Sequence, residues 1–437
     1  GTYYHSGLLA IRQAVAARAN ITYKILFNDA IAMTGGQPVE GPLSPALIAA
    51  QVLAEGAKRI VVVAENPAEL NAADFPQGVP IRPRNELDAV QRELREIEGC
   101  TALIYVQTCA AEKRRRRKRK VLADPDVRMV INHEVCEGCG DCSVQSGCVS
   151  IEPLETPLGR KRRINQSSCN KDYSCAKGFC PSFVSVSGVQ MRKGRRASVD
   201  ERLFATLPPP SMAQPSSAGT GIMLAGIGGT GVVTVGAVLA MAAHLQGLQA
   251  SVYDMTGMSQ KNGAVLSHLR IAPAGTAIAT QTVGLGEAHL VVAFDMVAAI
   301  SDESFRSMSG DTRVLGNVRI QVTPSFSLNP DERIDTGFIR HKVQARVGAQ
   351  NLAQVDATGI ALALCGDAIA TNFFMIGVAM QNGWLPLSLE ALERAVQLNG
   401  VQVEFNLNAI RLGRLWAHDP AAIEALLRNN GYVDDTV

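Results

Sequence analysis

Seven of the ten cysteines lie between residues 136 and 180, and thiols at that density serve either a disulfide framework or a metal. Disulfide scaffolds are typical of short secreted chains, whereas this one has 437 residues, so metal ligation is expected. Cys136-x2-Cys139-x2-Cys142 is the spacing by which a short loop wraps three thiolates round one face of an iron–sulfur cubane. The bacterial ferredoxin run completes such a site with a cysteine before proline from the other half of the module, and Cys180-Pro181 supplies it. The second half reads Cys169-x2-Asp172-x2-Cys175, with Asp172 where a middle cysteine is expected. Cys148 stands where the crossing ligand of the first half belongs, with five residues rather than three between it and Cys142. The expected ligands are Cys136, Cys139, Cys142 and Cys180 for a [4Fe–4S] cluster. Cys148, Cys169 and Cys175, with Asp172 or an open position, make a second site for a [3Fe–4S] or [4Fe–4S] cluster. The bland alternative is structural zinc, which favours paired Cys-x2-Cys or Cys with His across a longer loop. Cys100, Cys109 and Cys365 sit in apolar segments and read as buried small hydrophobes.

Two other patterns could bind cofactors. Gly1 is followed, after residues 2 to 27, by Asn28-Asp29. Thiamine-diphosphate enzymes use Gly-Asp-Gly and then, one crossover later, Asn, so that a carboxylate and an amide grip Mg²⁺ beside the phosphates. Here the Asp would precede Gly1, and the spacing alone also arises by chance. Further on, Gly226-x-Gly228-Gly229-x-Gly231 follows an apolar strand and opens a helix, with Asp254 23 residues past Gly231. That context admits NAD or a flavin; glycines that merely let strand and helix pack closely would read the same.

The elements that must position these residues are α/β. Helical spacing over Ser6 to Ala19, Ser44 to Gly56 and Asn85 to Glu98 alternates with apolar strands at Thr22 to Phe27, Arg59 to Ala64 and Thr101 to Val106. Such alternation argues for a doubly wound sheet. A second βα pattern starts at Thr220, with a buried strand at Leu290 to Phe294. Helices are expected at Asn372 to Gln381, Leu387 to Gln397 and Pro420 to Arg428. The apolar stretch Ile222 to Leu245 is long enough to raise a membrane question, but its glycines read better as strand, turn and packed helix. Lys113 to Lys120 are eight consecutive basic residues, read as a solvated connector or as a docking surface for an acidic electron carrier. No aromatic residues interleave them, and the formal net charge is only +2, so neither nucleic acid nor a membrane is an expected partner. Residues 193–218, rich in Arg, Pro and Ser, read as an interdomain linker. The opening Gly-Thr-Tyr-Tyr has no basic or apolar leader, so a cytoplasmic setting and an excerpt of a longer chain are expected.

Residues 1–38, ending in Ala32-Met33-Thr34-Gly35-Gly36-Gln37-Pro38, resemble the thiamine-diphosphate domain of indolepyruvate ferredoxin oxidoreductases. The likeness continues through the cysteine module and into the second glycine-rich domain. There, Tyr253-Asp254-Met255-Thr256-Gly257-Met258-Ser259-Gln260-Lys261-Asn262-Gly263-Ala264 and Asn399-Gly400-Val401 resemble the gamma-type domain of 2-oxoacid oxidoreductases. The order of domains is similar to the fused single-chain form of that family. By resemblance, 1–112 is the C-terminal part of a thiamine-diphosphate-binding doubly wound domain and 113–124 a basic linker. Residues 125–192 are then a ferredoxin-like iron–sulfur module and 219–437 a Rossmann-like gamma-type domain. The resemblance implies Mg²⁺ held by the Asn28 side chain and the Ala30 carbonyl, with Gly1 against the diphosphate. It also implies oxidative decarboxylation of an aryl 2-oxo acid to its acyl-CoA, electrons leaving through the clusters to ferredoxin, and a homo-oligomeric full-length protein. In this family the gamma-type domain is an interface partner rather than a nucleotide site. The metal-motif Asp and the upstream domain that activates the thiamine ring are absent from these residues, so the excerpt alone is expected to be inactive.

Overall fold

A computed structural model describes residues 2–28, 30–31, 39, 41, 43–189, 200–256, 263–321, 326, 329 and 331–430. The chain divides into two compact units: residues 1–128 with 166–173, and residues 129–165 with 174–437. The cysteine segment is therefore shared between them rather than standing as its own unit, with Cys169 and Asp172 in the first and the other six of its cysteines in the second.

In the first unit four parallel strands, β1 (Ile21–Phe27), β2 (Arg59–Ala64), β3 (Ile81–Pro83) and β4 (Cys100–Val106), lie in the order β1-β4-β2-β3. Arg59–Ala64 is buried from its second residue onward, as an Ile/Val run covered on both faces must be. The helix Leu8–Ala16 leads into β1, while Pro45–Ala54 crosses from β1 to β2 and Leu87–Arg95 from β3 to β4. Ser44 caps the second of these by accepting from the Leu47 N–H at 3.1 Å, with Pro45 at its first position.

The cysteine segment carries two small ribbons. β5 (Arg128–Ile131) pairs with β8 (Phe183–Val186), and β6 (Ile151–Thr156) pairs with β7 (Gly159–Ile164) as an antiparallel hairpin. A six-stranded sheet follows, built from β9 (Thr220–Ile227), β10 (Gln249–Met255), β11 (Ala264–Ala272), β12 (Ala288–Ala293), β13 (Arg313–Asn317) and β14 (Leu352–Val355). Its order is β10-β11-β9-β12-β13-β14, with β11 antiparallel to both its neighbours and the remaining pairs parallel. The apolar stretch at 222–245 resolves into β9, a turn, and the helix Val232–Leu245, and no described helix is long and apolar enough to cross a membrane. On one face the helix Thr371–Gln381 packs against Val403–His418 so closely that a Cβ on Gly413 would stand 1.9 Å from the Phe374 carbonyl oxygen.

Two expected connectors behave otherwise. Lys113 to Lys118 belong to the helix Ala110–Lys118, and Lys113 to Arg117 are half-buried instead of solvated. Within 200–218, Leu203, Phe204 and Leu207 pack on the core of the six-stranded domain. The Pro208 carbonyl accepts from Gln381 Nε2 at 3.0 Å and from Arg414 Nη2 at 3.1 Å. The described part of this segment is therefore a strap on the domain rather than a free linker.

Candidate functional site

The loop 136–142 is shaped by its glycines. Gly138 has φ +79°, and a Cβ there would meet the Arg160 carbonyl oxygen of the β7 ribbon at 2.3 Å. A residue without Cβ thus lets the loop turn left-handed and press on the hairpin. Gly140, also left-handed, ends the loop and opens the short helix Asp141–Ser146 that carries Cys142. Cys136 is buried, Cys142 half-buried and Cys139 exposed. Burial pushes the Cys142 thiol above its ordinary value, against hydrogen bonds from Ser143 that pull it down. Cys148 and Cys175 are half-buried and Cys180 is exposed, its Sγ 3.0 Å from Ser182 Oγ. Cys169 is half-buried and receives the Lys171 N–H at 3.4 Å, while Asp172 is exposed. Among the described residues, no three His, Cys, Asp or Glu side chains are gathered tightly enough to hold a metal ion.

The cysteine segment fits a metal in another respect. None of the buried residues that build the four hydrophobic clusters comes from 129–182. Of the apolar residues in that stretch, only Ile131, Cys136 and Ile151 are buried. A stretch of this size with so little apolar core calls for staples, and thiolate–metal bonds would provide them. The donor set is sulfur-rich, which suits iron–sulfur or zinc and not a hard cation.

At the first sheet, Asn28 directly follows β1 at the carboxyl edge of the parallel strands, where open α/β sheets bind ligands. It is half-buried and Ala30 is buried; Gly1, Asp29 and the 32–38 stretch lie outside the described residues. Past the ends of the neighbouring strands sit side chains that the sequence reading did not single out. Gln107 donates to Glu65 at 3.4 Å, Lys113 pairs with Glu65, and Tyr105 donates to Gln107. Burial pushes the Tyr105 hydroxyl above its ordinary value.

The glycine-rich turn sits at the carboxyl end of β9, beside a shallow cavity of about 180 Å³ lined by Gly229, Thr230, Asp295, Gln321, Thr371 and Asn372. Asn372 Nδ2 ties down the turn by donating to the Thr230 carbonyl at 3.0 Å. Asp295 is buried, and burial pushes its carboxyl above the usual carboxylate range. Its two oxygens accept from the Val297 N–H at 2.8 Å and the Gln321 N–H at 2.9 Å. An acidic residue directly after a buried strand is the signal that could have found it. The turn departs from a dinucleotide site in one decisive way: β11 lies between β9 and β10. Asp254 is therefore two strands away from the turn, about 9–10 Å sideways, where the fingerprint wants the adjacent strand. Gly226 packs instead, since a Cβ there would meet Val232 Cγ2 at 2.7 Å.

A strand–glycine turn–helix in a sheet whose one antiparallel strand, β11, lies between β10 and β9 defines an α/β domain, and residues 221–416 match the family described as pyruvate ferredoxin/flavodoxin oxidoreductase. Among curated relatives, the IorA subunit of an indolepyruvate oxidoreductase from Thermococcus kodakarensis is 30% identical over 181 residues, 41% of this chain and 26% of its own length. The IorB subunit from Archaeoglobus fulgidus is 26% identical over 198 residues, 44% of this chain and 92% of its own. The chain thus spans about a quarter of one kind of relative and nearly all of the other. A solved structure, pyruvate oxidoreductase subunit PORC from Thermotoga maritima, is 22% identical over 45% of this chain and 95% of its own, with a TM-score of 0.33.

Proposed function

We propose that this chain is part of a thiamine-diphosphate-dependent 2-oxoacid:ferredoxin oxidoreductase that converts an aryl 2-oxo acid, of the indolepyruvate type, to its acyl-CoA. The observation that carries this reading is a ferredoxin-type cysteine run upstream of a pyruvate ferredoxin/flavodoxin oxidoreductase domain in one chain. The aryl substrate is supported by the names of the relatives, both of them indolepyruvate oxidoreductase subunits. In this reading 1–112 is thiamine-domain sequence, 125–192 the ferredoxin-like module and 219–437 the gamma-type domain.

Thiamine diphosphate, when bound, supplies the electron sink for decarboxylation, and the clusters carry single electrons onward. The protein's part is to place these groups. Asn28 through its side-chain oxygen and Ala30 through its carbonyl would hold Mg²⁺, a hard cation suited to oxygen ligands. Cys136, Cys139, Cys142 and Cys180 hold one cluster; Cys148, Cys169 and Cys175, with Asp172 or an open position, hold the second. Cys139 and Cys180 are exposed, which gives ferredoxin access to the first. Coenzyme A takes the acyl group. An anaerobic assay of the full-length protein with indolepyruvate, CoA and a viologen dye tests the proposal. Dye reduction requiring both substrates is expected, and no reduction with any aromatic 2-oxo acid would contradict it.

A further inference from the structure

The basic run resolves into two sets of side chains. Arg115 and Arg116 turn to Glu112, whose side chain is 6% exposed, and Lys113 turns to Glu65. Arg114 and Arg117 turn to the cysteine loop. Arg114 Nη1 donates to the Ser168 carbonyl at 2.9 Å and Arg117 Nη1 to the Asn170 carbonyl at 2.5 Å, so a guanidinium grips the peptide on each side of Cys169. The same loop is held again one step on, where Lys171 pairs with Asp124 and Tyr173 donates to the Val127 carbonyl at 3.0 Å. Burial draws the Arg114 guanidinium down from its ordinary value, while the sulfurs of Cys109 and Cys169 favour its charge. The Nε atoms of Arg117 and Arg128 are buried with no acceptor among the described residues, and Asn170 Oδ1 is likewise buried without a donor there. Buried donors left over at one loop are what an anionic group bound there would satisfy.

We propose that Arg114 and Arg117 are positioning residues that fix the Cys169 loop and raise the reduction potential of the cluster Cys169 helps to bind. This rests on the iron–sulfur reading above. The step concerned is the gain of one electron by an anionic cluster, with no bond made or broken and no proton moved. Arginine is a permanent cation at any working pH, and a fixed positive charge with hydrogen-bond donors beside the sulfurs favours the more negative, reduced state. The cluster bound by Cys136, Cys139, Cys142 and Cys180 has no such pair of arginines on its loop carbonyls among the contacts described. The two clusters should therefore separate in potential, with the one at Cys169 the readier acceptor.

The test is an anaerobic redox titration of the full-length protein, with dithionite as reductant and EPR as the readout, comparing Arg114→Gln, Arg117→Gln and the two lysine variants. Each Gln variant is expected to lower the reduction constant of one cluster about tenfold, or about 59 mV for a one-electron couple, and to leave the other unmoved. Arg114→Lys and Arg117→Lys, which keep the charge, should recover most of that shift. If a Gln variant loses one cluster's signal and its Lys counterpart retains it, the positioning role is upheld. Two signals that stay put in every variant, or that move together, overturn the proposal while leaving the cluster assignment intact. Wild-type protein without iron overturns both.

Discussion

The six-stranded domain and the cysteine segment are held together by different physics. In the domain, β9 is buried at all eight positions and Phe374, on the helix Thr371–Gln381, is fully enclosed. Area removed from water does the stabilising there. The segment 129–182 has one hairpin, a strand paired with β8 just beyond it, three buried apolar residues and seven cysteines, four of them half-buried. One region folds on its own apolar content; the other has little of it, and in the proposed reading its thiolates are held by metal. The domain closes on apolar side chains, whereas the 136–142 loop turns on glycines and the loop at Cys169 is held by arginines donating to its carbonyls.

Stripping iron anaerobically from the purified protein should have the largest effect. Residues 129–182 should then become sensitive to a protease such as thermolysin while the six-stranded domain stays resistant, as coupled metal binding and folding requires. Equal resistance of both regions would break the contrast. Phe374→Ala should cost the domain about 3–5 kcal/mol by denaturant melting, with iron content unchanged. Gly138→Ala is the mirror image. It forces a positive φ on a residue with a Cβ and drives that atom into the Arg160 carbonyl, at a cost of about 1–3 kcal/mol. The loss should register as lower iron content with the domain's melting unaltered. Replacing exposed Cys139 with Ala removes little packing, so a bleached brown colour would report a lost ligand and unchanged iron would remove it from the ligand set.

The smallest expected effect is on pH dependence. His268 is fully buried in β11, accepts from the Val283 N–H through Nδ1 at 3.0 Å, and has Nε2 3.2 Å from Glu303. Burial lowers its affinity for a proton below the ordinary 6.5, against the pull of Glu303. The unfolded chain therefore binds the proton more tightly, and the domain should lose stability as pH falls from 6.5 toward the folded value. Thermal melting of the wild type across that window should slope downward toward acid, and His268→Gln should flatten it.

Much of this was legible from residues alone. Arg59–Ala64, Thr371–Gln381 and Pro420–Asn429 emerge within a residue or two of expectation, because two-fold and 3.6-fold apolar periods are local signals. The helix Val403–His418 was not foreseen. Its enclosed face includes Asn406 and Arg414, which interrupt the apolar stripe and find partners at Val401, Gln381 and Pro208. Within the basic run, Lys113, Arg114 and Arg117 escape a local reading for the same reason: their partners, Glu65 and the carbonyls of Ser168 and Asn170, lie some fifty positions away, whereas Lys118 to Lys120 are exposed as a solvated run should be. Asp254 was placed by counting residues, but position in a sheet depends on strand order, and β11 intervenes.

Everything said about electron flow depends on what the thiolates bind. Metal analysis and EPR of the anaerobically purified full-length protein address this directly. Two clusters predict about seven or eight irons per chain with matching sulfide, and a reduced-state signal that divides into two components. A colourless protein with stoichiometric zinc and no iron would contradict the account.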